Sequence, residues 1–138
     1  MNPSENLLPT TDWWDRLIRH YEARQAVVTG WPELPDYIQM LRQVAVSPYA
    51  TLVRPWQFLD LLVLAREGDG PPRATTDTVQ VAPGRQVRIA RMRGNTAKQV
   101  TVEQLTCGYT DAWQHLEAQL RKLLNRAEQF AAPDRPRE

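Results

Sequence analysis

A break at Gly68-Asp69-Gly70-Pro71-Pro72 organises the whole chain. Two glycines and two prolines within five residues sustain neither helix nor strand. Proline has no amide donor, and glycine loses the most backbone freedom on ordering. The apolar pattern differs on the two sides of this break. Before it, apolar residues recur at helical spacing; after it, they alternate with a period of two. The expectation is an α+β fold with a helical N-terminal half, a three-stranded antiparallel β-meander and a long amphipathic C-terminal helix.

Three helices are expected before the break. The first spans 12–28. Thr10 or Thr11 can cap it, Asp12 and Asp15 suit its positive end, and Gly30 can close it. Trp14, Leu17, Ile18 and Tyr21 form its apolar stripe, with Trp13 on the flank. Trp31-Pro32-Glu33-Leu34-Pro35 is a stiff connection. The second helix, 35–46, carries Ile38, Leu41, Val44 and Ala45 on one face, and Ser47-Pro48 ends it. The third is expected over 55–67, with Pro55 in its first turn. Trp56, Phe58, Leu59 and Leu61 to Leu64 leave it almost no polar face, as in a central buried helix.

After the break, Thr76–Val81, Gln86–Met92 and Gln99–Leu105 each alternate, separated by the turn signals Pro83-Gly84 and Gly94-Asn95. A helix then runs over 109–131. Trp113, Leu116, Leu120, Leu123, Ala127 and Phe130 recur in steps of three and four, and Leu124 widens the stripe. The expected organisation is a flexible arm (1–9), one domain (10–131) in which 68–75 link helices to meander, and a polar tail (132–138).

Charge is where the sequence points to function. The net charge is only +1, so no global field selects a partner. Residues 1–72 are net −3 and residues 73–138 net +4. Within 73–98, Arg73, Arg85, Arg88, Arg91, Arg93 and Lys98 face the single acid Asp77, a local +5. Such a block attracts phosphate, or equally an acidic protein surface. On the strand Gln86–Met92, Val87 and Ile89 share a face with Arg91, while Arg88, Ala90 and Met92 share the other. A β-ribbon bearing arginines can follow a phosphate backbone or enter a groove. The same charges also serve to blunt an edge strand. The excess of 15 Arg over 2 Lys is what GC-rich coding produces, so the clustering is the informative feature.

Catalytic groups are scarce. His20 and His115 have no partner at metal-ligand spacing, and no phosphate-cradling glycine loop occurs. Cys107 with His115, or Asp12, Asp15 and Glu22 on the first helix, are the groups that hydrolytic chemistry would need. Each has a simpler use, as packed thiol, solvated histidine or helix-dipole complement. No catalytic residue, metal or cofactor is therefore expected. The single cysteine and the lack of a basic, apolar leader fit the cytoplasm. The longest apolar stretch, Phe58–Ala65, contains Asp60 and is too short to cross a bilayer.

The expected function is that of a small non-enzymatic accessory protein, of bacterial or phage type. It would contact nucleic acid or a nucleoprotein complex through Arg73, Arg85, Arg88, Arg91, Arg93 and Lys98. The alternative is a protein-interaction or assembly subunit. There Leu116, Leu120, Leu123 and Phe130 would pair the last helix with a partner or a second copy, Trp13 and Trp31 would add anchors, and the basic strand would meet an acidic partner. Trp14, Trp56 and Trp113 are expected in the core.

Overall fold

The run read as a third helix is a β-hairpin in the structure, a computed structural model that describes residues 11–27 and 30–131, with side chains for 12–27 and 30–125. Strand β1 (Val53–Phe58) turns through Leu59-Asp60 into β2 (Leu61–Arg66), which pairs with it antiparallel. Strands β3 (Thr78–Ala82), β4 (Val87–Arg93) and β5 (Val100–Cys107) complete a five-stranded sheet in the order β1-β2-β3-β4-β5. The class is α+β, but the sheet has five strands rather than three, and two helices precede it rather than three. Helix α1 (Thr11–Gln25) and helix α2 (Leu34–Ala45) lie before the sheet, joined to it by a single 3₁₀ turn (Pro48–Thr51); helix α3 (Tyr109–Ala131) follows it. The arm 1–9, the capping Thr10, the tail 132–138 and the Phe130 side chain lie outside the described residues.

Pairing explains why helical spacing misled. β2 is an inner strand whose side chains are buried on both faces, so its alternation vanishes. Leu62 and Leu64 face the core, while Val63 and Ala65 on the opposite face are also buried. Pro55 falls in β1, an edge strand, where its missing amide costs no ladder hydrogen bond. The turn between β1 and β2 contains neither glycine nor asparagine. Leu59 itself takes the left-handed conformation, with φ of 58°.

All three helices cover one face of the sheet. The core gathers Trp14, Leu17, Ile18 and Tyr21 from α1, the apolar face of α2, and Ala112, Leu116, Leu120 and Leu123 from α3. Against these pack Val53, Leu62, Leu64, Val79, Val81, Val87 and Ile89 from the sheet. The outward positions of the same strands take no part in this cluster. The buried Trp14 donates from Nε1 to the Ala50 carbonyl at 3.1 Å, tying α1 to the 3₁₀ turn. Tyr109, in the first turn of α3, donates its hydroxyl to the Gly84 carbonyl at 2.9 Å and accepts from the Gly84 amide at 3.2 Å. That latch fixes the start of α3 to the β3–β4 turn.

Candidate nucleic-acid interface

Register places the sheet's side chains on two faces. Leu64 opposes Val79, Val79 opposes Arg91, and Arg91 opposes Glu103, all beneath the helices. The intervening residues point away from the helices: Arg54, Trp56 and Phe58 on β1, Leu61, Val63 and Ala65 on β2, Thr78, Gln80 and Ala82 on β3, Arg88, Ala90 and Met92 on β4, and Thr101, Gln104 and Thr106 on β5. None of these is a carboxylate. The helix-free face is therefore apolar and amide-bearing, with only cations for charge.

Two loops roof one end of this face. Gly94 donates its amide to Asp77 Oδ1 at 2.8 Å, and Asn95 donates to the Ala74 carbonyl at 3.0 Å. Approach is so close that a Cβ on Gly94 would lie 2.2 Å from the Thr75 carbonyl carbon. The Asn95 side chain accepts from the amides of Ala97 and Lys98 at 2.8 and 2.7 Å, closing the β4–β5 turn. Gln99 then donates to the Thr76 carbonyl at 2.6 Å and accepts from Gln80 at 3.3 Å. The sequence break thus ends in an ordered wall, held to the β4–β5 turn by main-chain hydrogen bonds.

Under this wall lies a groove of about 460 Å³, lined by Phe58, Leu61, Val63, Pro72, Arg73, Ala74, Gln80, Ala97, Lys98 and Gln99. It adjoins a smaller trough of about 140 Å³ that shares Leu61 and Gln80 with it and reaches Arg88, Met92 and Gln104. Arg73, Arg88 and Lys98 therefore border one continuous surface. Arg88 and Lys98 enter none of the ion pairs among the described residues.

The other expected cations lie elsewhere. Arg91 faces the helices at 14% side-chain exposure, bonded to Gln119 and paired with Glu103 at 3.4 Å. Arg85 lines a separate groove of about 450 Å³ with Glu33 and Asp36, whose carboxylates oppose anion binding. Arg93 is exposed at the strand end and shares the parity of Arg91. Arg54 was not among the expected residues. It sits between two indoles, 4.4 Å from the Trp13 ring centroid and 4.2 Å from that of Trp56. The alternation Arg54, Trp56, Phe58 was its signal, hidden by the helical reading.

The expected protein-contact residues whose side chains are described are engaged within the chain. Leu116, Leu120 and Leu123 are buried in its own core. Trp13 packs on Arg54, and Trp31 stacks on Tyr37 at 5.8 Å beside Tyr21 and Arg24. Of the tryptophans expected in the core, Trp14 is there, Trp113 is half-buried edge-on to Tyr49, and Trp56 is half-buried on the helix-free face. The Trp56 Nε1 is buried with no hydrogen-bond partner among the described residues.

Burial, and then Asp111, push the Cys107 thiol up, away from the thiolate a nucleophile requires. Glu22 is paired with Arg42. Among the described residues, no three of His, Cys, Asp or Glu come together to hold a metal ion, and no helix is long and apolar enough to cross a membrane. No family model matches the chain, and no curated protein or solved structure matches it, so function has to be read from the chemistry of its own surface.

Proposed function

We propose that this chain is a non-enzymatic accessory protein that binds nucleic acid through the helix-free face of its sheet. One observation carries this reading. The outward strand positions include no carboxylate, while Arg73, Arg88 and Lys98 border an apolar and amide-bearing centre. Cations around such a surface attract phosphate from a distance, and apolar or aromatic side chains between them contact bases. The interface so described is the sheet face and its roof loops, rather than the β4 strand alone. The cytoplasm, where a lone thiol stays reduced, is the compartment that suits it.

Fluorescence anisotropy with labelled single-stranded DNA, RNA and duplex DNA tests the reading at low and near-physiological salt. Binding should weaken as salt rises, because displaced counterions drive it. Replacing Arg73, Arg88 and Lys98 together by Gln should lower affinity at least about tenfold, given three phosphate contacts. Replacing Arg85 and Arg93 by Gln, the same kind of change off this face, should leave most of it. A chain that binds no nucleic acid even at low salt does not have this function.

A second reading, a protein-interaction subunit, draws on the β1–β2 tip, where Phe58 is 50% and Leu59 94% exposed. Two large apolar side chains at an exposed tip can enter a partner's pocket. If the wild-type chain captures a partner protein and the Leu59→Ser variant captures it equally well, that tip is not the contact.

A further inference from the structure

We propose that the helix-free face takes single-stranded rather than duplex nucleic acid, and that the open groove beside the two joined loops seats one unpaired base beside Phe58, with its phosphate on Arg73 and Lys98. This rests on the nucleic-acid reading above and narrows it to one ligand class.

The groove is built for a flat, partly polar ring attached to an anion. Leu61 and Val63 supply an apolar floor. Phe58 is 50% exposed, and no aromatic ring or guanidinium stacks on it among the described residues. Its π face is thus open to a base, which stacks on it whatever its sequence. Gln80 donates to Gln99 and keeps its own carbonyl oxygen as an acceptor for a base edge. Arg73 and Lys98 come from the two loops, whose backbones are tied to each other by hydrogen bonds before any ligand arrives. A volume of about 460 Å³ falls within the usual range of small-ligand pockets, roughly 300–1,000 Å³.

Strandedness follows from reach. In a duplex, every base is stacked and paired, and only groove edges are presented. The open Phe58 ring and the amides beneath the roof can be used only by a base turned out of a stack. A duplex laid across this face would touch the rim cations alone.

The test is anisotropy with the full chain and three labelled probes: a short oligothymidylate, a short oligouridylate and a DNA duplex of equal length. The intact protein should prefer both single strands to the duplex. Phe58→Leu, which keeps apolar bulk and removes the π face, should weaken single-strand binding by about tenfold or more. Phe58→Trp should restore it, and neither change should alter duplex binding. A Phe58→Leu variant that melts like the wild type and binds single strands equally well overturns the base seat. So does duplex binding as tight as single-strand binding in the unmodified chain, a comparison that needs no variant. In both cases loss of binding in the combined Arg73, Arg88 and Lys98 variant would leave the broader nucleic-acid reading standing. Absence of binding to every probe at low salt removes both.

Discussion

The Nε of Arg91 donates a 3.0 Å hydrogen bond to Oε1 of Gln119, across the boundary between β4 and α3. Arg88, three residues earlier on the same strand, is exposed on the opposite face. Two arginines that look alike in the sequence therefore do different work: one joins the layers, the other borders the proposed ligand surface.

Arg91→Ala should lower stability by about 1–3 kcal/mol, because it leaves the buried Gln119 side-chain carbonyl oxygen without its donor. Arg88→Ala should change stability by less than about 0.5 kcal/mol, as exposed substitutions generally do. Urea denaturation of the two variants checks this contrast. Equal losses would mean that Arg91 is not a structural residue.

Gly94→Ala should destabilise by about 1–3 kcal/mol, the usual cost of forcing extra atoms into a packed site. Its new methyl would meet the Thr75 backbone, which cannot swing aside as a side chain can. The roof loops should separate as a result, so amide exchange at Asn95, which donates to Ala74, should accelerate. Thermal melting and hydrogen exchange measure the two effects.

Leu59→Asn should stabilise the chain by about 0.5–1 kcal/mol, since a leucine in the left-handed region is strained and asparagine tolerates it. Little burial is lost, because Leu59 is 94% exposed. The check is a higher urea midpoint with an unchanged slope.

The acid and alkaline limbs of the stability curve should have different sources. Lys122 first, then Gln119, with Arg91 adding to them, hold the Glu103 carboxyl below its ordinary value. A carboxylate with a lowered pKa contributes stability above the ordinary carboxylate range and loses it as pH falls through the folded value. Glu103→Gln should therefore flatten the acid limb in melts run between neutral pH and pH about 3. At the other end, burial, and then Asp60, push Tyr21 up to about 12. The folded state keeps that proton longer than the unfolded chain does, so stability should fall as pH rises from about 10 towards 12. Burial raises Tyr37 as well, and its loss adds in the same direction. Tyr21→Phe should reduce the alkaline slope, read from melts in the same pH series.

Much of the architecture is legible along the chain. Trp14, Leu17, Ile18 and Tyr21 announce α1 by spacing alone, and Ile38, Leu41 and Val44 do so for α2. The last three strands alternate because each keeps polar and apolar positions apart, and the parity that sets Arg91 with Val87 and Ile89 already implied its inward direction. The α3 stripe is equally plain, yet its spacing is the same whether the leucines meet their own core or a second helix. Only packing shows that Leu116, Leu120 and Leu123 lie within the chain's own core.

Periodicity determined where this chain alternates and where it coils, because one polar face against one apolar face leaves a repeat in the sequence. It could not determine the fate of residues 53–66. A strand buried on both faces has no polar face and hence no repeat, and the tight turn at Leu59-Asp60 puts leucine, rather than glycine or asparagine, at its left-handed position. Tertiary structure also decided which cations share a surface. Pairing sent Arg88 and Arg91 to opposite faces, placed Arg85 beside carboxylates, and brought Arg73 and Lys98 to the rim of one groove from two loops far apart in sequence. Charge density along a chain cannot report such groupings, because the side chains that share a surface are chosen by register and loop closure, through contacts between distant segments.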